Sequence, residues 1–162
     1  MVRYMNIMVA YYSWQGHTRK VAELLSEKLD AQLVQIEATK ESAVPIKALK
    51  AFFGMKSNIK PCKTDLSDVD HLILATPVWS SHSTPYMNKY ISLLTNTAGK
   101  SYSVVAEMGS KGADITIEQI QKKMAKKQMK LVITGITLEE EVDSGEFEDT
   151  ISKMADYIKE NI

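Results

Sequence analysis

Ser13-Trp14-Gln15-Gly16-His17-Thr18 sets two hydroxyls, an amide, an imidazole and one glycine between an apolar run, Met5 to Tyr12, and a segment of helical periodicity that begins near Arg19. That order reads as a strand feeding a helix through a tight turn. The chemistry such a turn offers is anion binding. The first turn of a helix leaves about four N–H groups without internal partners, and the aligned peptide dipoles put partial positive charge there. A phosphate can therefore be held without Lys or Arg. Ser13 and Thr18 add hydroxyl donors, and Gly16 lets the backbone approach closely. The same residues also read as a plain helix cap, so this loop by itself leaves both readings open.

Two further stretches carry unusual composition. Thr76-Pro77-Val78-Trp79-Ser80-Ser81-His82 leaves a second apolar run, and Glu107-Met108-Gly109-Ser110-Lys111-Gly112 leaves a third. The elements that must position all three are visible as periodicities. Asn6 to Tyr12, Leu33 to Ile36, His71 to Thr76, Ser101 to Ala106 and Leu131 to Leu138 are short and largely apolar, as expected of strands, and the longer runs match strands covered on both faces of a parallel sheet. Between them, Val21, Leu24, Leu25 and Leu29 recur at helical spacing, as do Met87, Tyr90, Ile91 and Leu94, then Ile117, Ile120 and Met124, and finally Phe147, Ile151, Met154 and Ile158. Ser83 or Thr84 is placed to cap the helix that Pro85 opens. Pro45 opens a shorter helix, predicted to carry Ile46, Leu49 and Phe53 on one side and Lys47 and Lys50 on the other, with Gly54 placed to stop it. The remainder of 39–70 reads as loop, a length of connection that is commonly functional. Five strands alternating with helices imply a three-layer α/β/α domain with a doubly wound five-stranded parallel sheet, one domain over 1–162. In such sheets ligands sit beyond the carboxyl ends of the strands where the strand order reverses, and the three unusual loops meet there.

Composition narrows the function classes. The 162 residues carry 20 Lys plus Arg and 20 Asp plus Glu, so no net charge steers the chain toward nucleic acid or an anionic membrane. No apolar run approaches a membrane span, and 1–12 lack the features of a signal peptide, which implies a cytoplasmic protein. A single cysteine, Cys62, excludes an internal disulfide. The basic block at Lys122, Lys123, Lys126, Lys127 and Lys130, and the acidic one from Glu139-Glu140-Glu141 to Glu148-Asp149, read as solvated faces. Gly99-Lys100-Ser101 precedes a strand and has Leu94 where a nucleotide P-loop needs Gly. His17, His71 and His82 show no metal-ligand spacing. A phosphorelay receiver would need acidic residues where Tyr12-Ser13 stand, and a phosphorylatable Asp where Thr76-Pro77 stand.

On these residues the chain resembles the flavodoxins. Tyr12 to Thr18 resembles their phosphate loop, and Thr76 to Trp79, with Pro85 opening the next helix, resembles their flavin-ring loop. Element order and length extend the resemblance over most of the chain, to the short-chain members. It implies the flavodoxin-like strand order 2-1-3-4-5 and an FMN cofactor. Ser13, Trp14, Gln15, Gly16, His17 and Thr18 would wrap the phosphate. Thr76, Pro77, Val78, Trp79, Ser80, Ser81 and His82 would lie along the ring, with Trp79 stacking near it, and Met108, Gly109, Ser110 and Gly112 would form a third wall that starts at Glu107. Gln15 and His17 depart from the family's usual Thr and Asn. Ser80-Ser81-His82 lacks the glycine that many flavodoxins carry, so positive φ there would be strained.

What the resemblance implies about activity divides in two. The first reading is a flavoprotein of electron transport, shuttling electrons between redox partner proteins with no catalytic side chain. The alternative is an oxidoreductase, an FMN-dependent reductase of a quinone or other small acceptor with NAD(P)H as donor, in which Phe52 and Phe53 cover the substrate. A flavodoxin fold without cofactor, serving as a binding module, is a third.

Overall fold

The computed structural model describes residues 4–40, 43–53 and 55–162. In chain order these form β1 (Ile7–Tyr11), α1 (His17–Leu29), β2 (Gln32–Gln35), α2 (Val44–Phe52), β3 (His71–Trp79), β4 (His82–Ser83), α3 (Pro85–Leu93), β5 (Ser101–Met108), α4 (Ala113–Lys126), β6 (Lys130–Leu138), α5 (Glu139–Ser144) and α6 (Phe147–Asn161). The parallel sheet runs β2-β1-β3-β5-β6. Setting aside the two-residue β4, which pairs antiparallel with the end of β3, this is the order 2-1-3-4-5 expected above. The order reverses between β1 and β3.

Side-chain alternation divides the core. Met8, Ala10 and Tyr12 point to one face with Leu72 and Leu74, under Tyr90 and Ile91 of α3 and Ile120 and Met124 of α4. Val9, Tyr11, Ile73 and Ala75 point to the other, under Val21 and Leu25 of α1 and Ile151 and Ile158 of α6. Because both faces are buried, β1 and β3 read in sequence as unbroken apolar runs rather than as alternation. Asp30 caps α1 in the left-handed region at φ 48°, where the periodicity ends. Thr84 is the N-cap of α3, its Oγ1 accepting from the Met87 N–H at 3.1 Å.

Three expectations need correction. The faces of α2 are inverted: Lys47 and Ala51 are buried, whereas Ile46, Leu49, Phe52 and the following Phe53 are exposed. The Lys47 ammonium lies 4.8 Å from the ring centre of Trp14 and 5.5 Å from that of Trp79, so the buried face of α2 carries a cation on aromatic rings with its aliphatic stem covered. Gly54, proposed as the stop signal, lies outside the described residues. The basic block is not wholly solvated, since Lys123 Nζ donates to Asn88 Oδ1 at 3.0 Å, and Lys127 Nζ donates to the Leu94 carbonyl at 2.9 Å, closing the end of α3. The stretch after Thr76 is not open loop: β3 continues to Trp79 and turns back through Ser80 and Ser81 into β4.

Ser80 and Ser81 both sit at positive φ, 49° and 63°. This is the twist that a two-residue hairpin requires and that Asn-Gly usually supplies. A left-handed L-residue costs roughly 1–2 kcal/mol, of which glycine's extra unfolded-state entropy returns about half. Ser80→Gly, at the exposed position of the pair, should therefore stabilise the fold by about 0.5–1 kcal/mol in urea denaturation; a destabilised variant would show that the Ser80 side chain holds the turn.

Candidate functional site

A cavity of about 360 Å³ opens at the carboxyl ends of β1, β3, β5 and β6, where the sheet order reverses. Its wall contains Ser13, Trp14, Gln15, His17 and Thr18 from the first loop, Pro77, Val78 and Trp79 from the second, Glu107 and Gly109 from the third, and Glu139 from the start of α5. Of the other residues expected here, Gly16 is outside the wall and heads α1 as its N-cap. Thr76 is fully buried with its hydroxyl donating to the Pro77 carbonyl at 3.0 Å. Ser80, Ser81, His82, Met108, Ser110 and Gly112 stand outside the wall. Ser81 packs onto Gly112 so closely that a Cβ on residue 112 would lie 2.6 Å from the Ser81 Cα, and Gly112 itself holds φ 96° as the N-cap of α4. This contact locks the second loop to the third.

The first loop is built for an anion. Gly16 is the N-cap of α1 in the left-handed region at φ 100°, no side chain caps the helix, and no acidic residue occupies its first turn. Ser13 does not cap α1; its Oγ accepts from the Gly16 N–H at 3.1 Å and holds the loop closed on itself. The positive end of the helix dipole is thus left to whatever enters the cavity.

Opposite it stand acids. Thr18 Oγ1 donates to Glu107 Oε2 at 3.3 Å, while Glu107 Oε1 is buried without a hydrogen-bond partner in a residue that is only 5% exposed. Desolvation by burial, and next the neighbouring Glu139 carboxylate, push Glu107 up to about 7. Glu139 Oε2 would lie 3.7 Å from a Cβ on Gly109, so its carboxylate covers that loop. The Leu138 N–H donates to Glu141 Oε2 at 3.0 Å, which ties down the start of α5 and fixes where Glu139 emerges. His17 Nε2–H donates to Asp143 Oδ1 at 3.0 Å, and since a carboxylate only accepts, the lone pair is left on Nδ1. Asp143 and Glu139 escaped the sequence reading as part of a solvated acidic run. The signal available was position, because that run begins at the carboxyl end of a strand whose neighbours' exits carry the site.

Aromatic groups form the remaining wall. Trp79 meets Tyr12 edge-on at 5.5 Å, Tyr86 at 6.1 Å and Trp14 at 6.2 Å. At the rim, Phe52 of α2 stacks on His82 at 5.2 Å, whose Nδ1–H donates to the Ser80 carbonyl at 2.7 Å. His82 is therefore a structural part of the hairpin. No Lys or Arg among the described residues lines the cavity.

The architecture is that of the flavodoxin-like fold, and solved structures agree. A flavoprotein in complex with FMN from Lactobacillus acidophilus superposes with a TM-score of 0.71 at 19% identity over 86% of this chain and 97% of that one. Oxidised flavodoxin 2 from Bacillus cereus gives 0.62 at 19% identity over 96% and 98%. Two-electron reduced flavodoxin from Megasphaera elsdenii gives 0.58 at 12% identity over 93% and 98%. No family model and no curated protein matches the sequence. No helix among the described residues is long and apolar enough to cross a membrane.

Proposed function

We propose that this chain binds FMN in the cavity at the β1/β3 reversal and serves as a flavodoxin-type electron carrier between redox partner proteins in the cytoplasm. The observation that carries the reading is the uncapped, acid-free N-terminus of α1, with left-handed Gly16 at its head, opening into a cavity walled by two tryptophans. The donor set fits a phosphate, and the planar faces of Trp79, Trp14 and Pro77 fit a flat heteroaromatic ring. That solved structures of the same fold include a protein in complex with FMN supports the choice of ligand.

Bound FMN would supply one- and two-electron transfer, and the chain's residues would hold and shield it. Ser13 keeps the loop closed, the α1 N–H groups bind phosphate, and the Ser81–Gly112 contact keeps the ring-side loops from parting. The cavity wall does include Glu107 and His17, but carriage of electrons asks for no proton transfer from either.

A second reading, an FMN-dependent reductase of a small acceptor with NAD(P)H as donor, draws on the exposed Ile46, Leu49, Phe52 and Phe53 of the α2 segment beside the rim. The same surface suits docking of a protein partner. The absorption spectrum of the purified protein, followed by titration of the apoprotein with FMN and with riboflavin, tests the FMN reading. Flavin absorbance with strong preference for FMN is the expected result; protein that binds neither would overturn it. An NAD(P)H oxidation assay with quinone then separates the two activities, because a carrier is reduced only through a protein reductase.

A further inference from the structure

The cavity places a histidine and two glutamates where their spacing in the chain gives no hint of a meeting. One ligand atom each from His17, Glu107 and Glu139 lies within 4.8 Å of the others. Donors around one ion at metal–ligand distances of ~2.0–2.2 Å stand roughly 3–4 Å apart, so adjustment of side-chain torsions by under ~1 Å closes the set. A second observation points the same way. Glu107 Oε1 is a buried acceptor with no partner, in a residue 5% exposed that lines the cavity. An orphaned carboxylate oxygen costs free energy unless something positive faces it. With the Asp143 carboxylate on His17 Nε2 as the outer partner that orients the imidazole, Nδ1 is the nitrogen that would bind. One nitrogen and two carboxylates suit Mn²⁺ or Zn²⁺ better than Ca²⁺.

Charge gives the site a purpose. With no Lys or Arg among the described residues of its wall, the cavity presents Glu107 and Glu139 to any anion held by the α1 N-terminus. We propose that His17, Glu107 and Glu139 bind one divalent transition-metal ion, and that this ion supplies the counter-charge for the ligand's phosphate. The second half rests on the FMN reading; the first does not.

Mn²⁺ is the probe. Titration of the metal-free apoprotein followed by electron paramagnetic resonance should give one bound ion per chain. That binding should be lost in Glu139→Gln and His17→Gln and kept in Glu118→Gln, an exposed acid on α4, with circular dichroism checking the fold of each. FMN titrated in Mn²⁺ and in EDTA should bind about tenfold tighter with the metal, as expected when one charge pair in a partly buried site is compensated, and Glu139→Gln should erase the difference. Absence of stoichiometric Mn²⁺, or Mn²⁺ binding unaffected by Glu139→Gln, overturns the metal site. Equal FMN affinity in Mn²⁺ and EDTA overturns the counter-charge role while leaving FMN binding intact. Stoichiometric Mn²⁺ with no FMN binding in either buffer supports the metal site and defeats the FMN reading.

Discussion

His71→Gln should make the protein more resistant to acid, by about 3 kcal/mol relative to the original chain at pH 4 compared with pH 7. His71 opens β3 and is fully buried, its Nδ1 2.7 Å from Ser101 Oγ and its Nε2 2.9 Å from Ser103 Oγ. Desolvation lowers its pKa from 6.5 to about 4. In the unfolded chain the imidazole takes up a proton below about pH 6.5, while the folded protein holds it neutral until about pH 4. The unfolded state therefore binds more protons across that window. Stability is fully present above pH 6.5 and falls as pH drops, at about 1.4 kcal/mol per pH unit. Gln keeps hydrogen bonds to the two serines and cannot titrate. Buried Glu107 acts in the opposite direction, since a raised carboxylate pKa makes stability fall as pH rises from about 4.5 to about 7. The profile of the original chain alone is consequently flattened. The difference between its urea midpoints and those of His71→Gln, measured in EDTA from pH 4 to 7.5, isolates the histidine. Parallel curves would mean that His71 is hydrated enough to titrate normally in the fold.

How much of this was legible depended on how local the deciding interaction is. The apolar runs of β1, β3 and β5 and the stripes of α1, α4 and α6 declare themselves because burial on one or two faces dictates residue type along a contiguous stretch. Thr84 with Pro85 declares itself because a cap is chosen within a few residues, whereas at α1 the sequence offers Ser13 and Thr18 as caps and the helix takes left-handed Gly16 instead. The inverted α2 does not declare itself, because the groups its buried Lys47 meets include Trp14 and Trp79, which lie on other loops. The β3–β4 hairpin was hidden since Ser80-Ser81 is not the Gly- or Asn-bearing pair that usually marks such a turn. The acid cluster was the least visible: His17 and Asp143 are 126 residues apart and meet only because α1 and α5 both start at the same end of the sheet. Spacing rules for metal ligands see one element at a time, and this set spans three.

Trp79→Ala should cost about 3 kcal/mol of stability, and more of the ligand affinity than any other single change in the cavity wall. The indole is only partly buried, so it falls at the lower end of the range for removing a large aromatic. Yet it meets three other rings, with centroids 5.5 Å away at Tyr12, 6.2 Å at Trp14 and 6.1 Å at Tyr86. It also offers a face to the buried Lys47 ammonium at 5.5 Å. Removing it hollows the wall of the cavity and takes from Lys47 the more distant of the two rings it faces, so one hold on α2 is weakened together with the second loop. Trp79→Phe keeps a ring edge toward Tyr12 and should recover roughly half of the loss. Urea midpoints of the three proteins measure this directly, and a loss under about 1 kcal/mol would mean that the aromatic cluster re-closes around the gap. The ligand arm has its own optical handle. The chain has two tryptophans, both in the cavity wall, so a flavin that enters should quench nearly all the tryptophan emission of the original chain. In Trp79→Ala the emission left is that of Trp14, and it should shift to the red as water reaches the hollowed wall. Emission that flavin leaves largely unquenched at saturation would place the ring away from both indoles and remove Trp79 from the site.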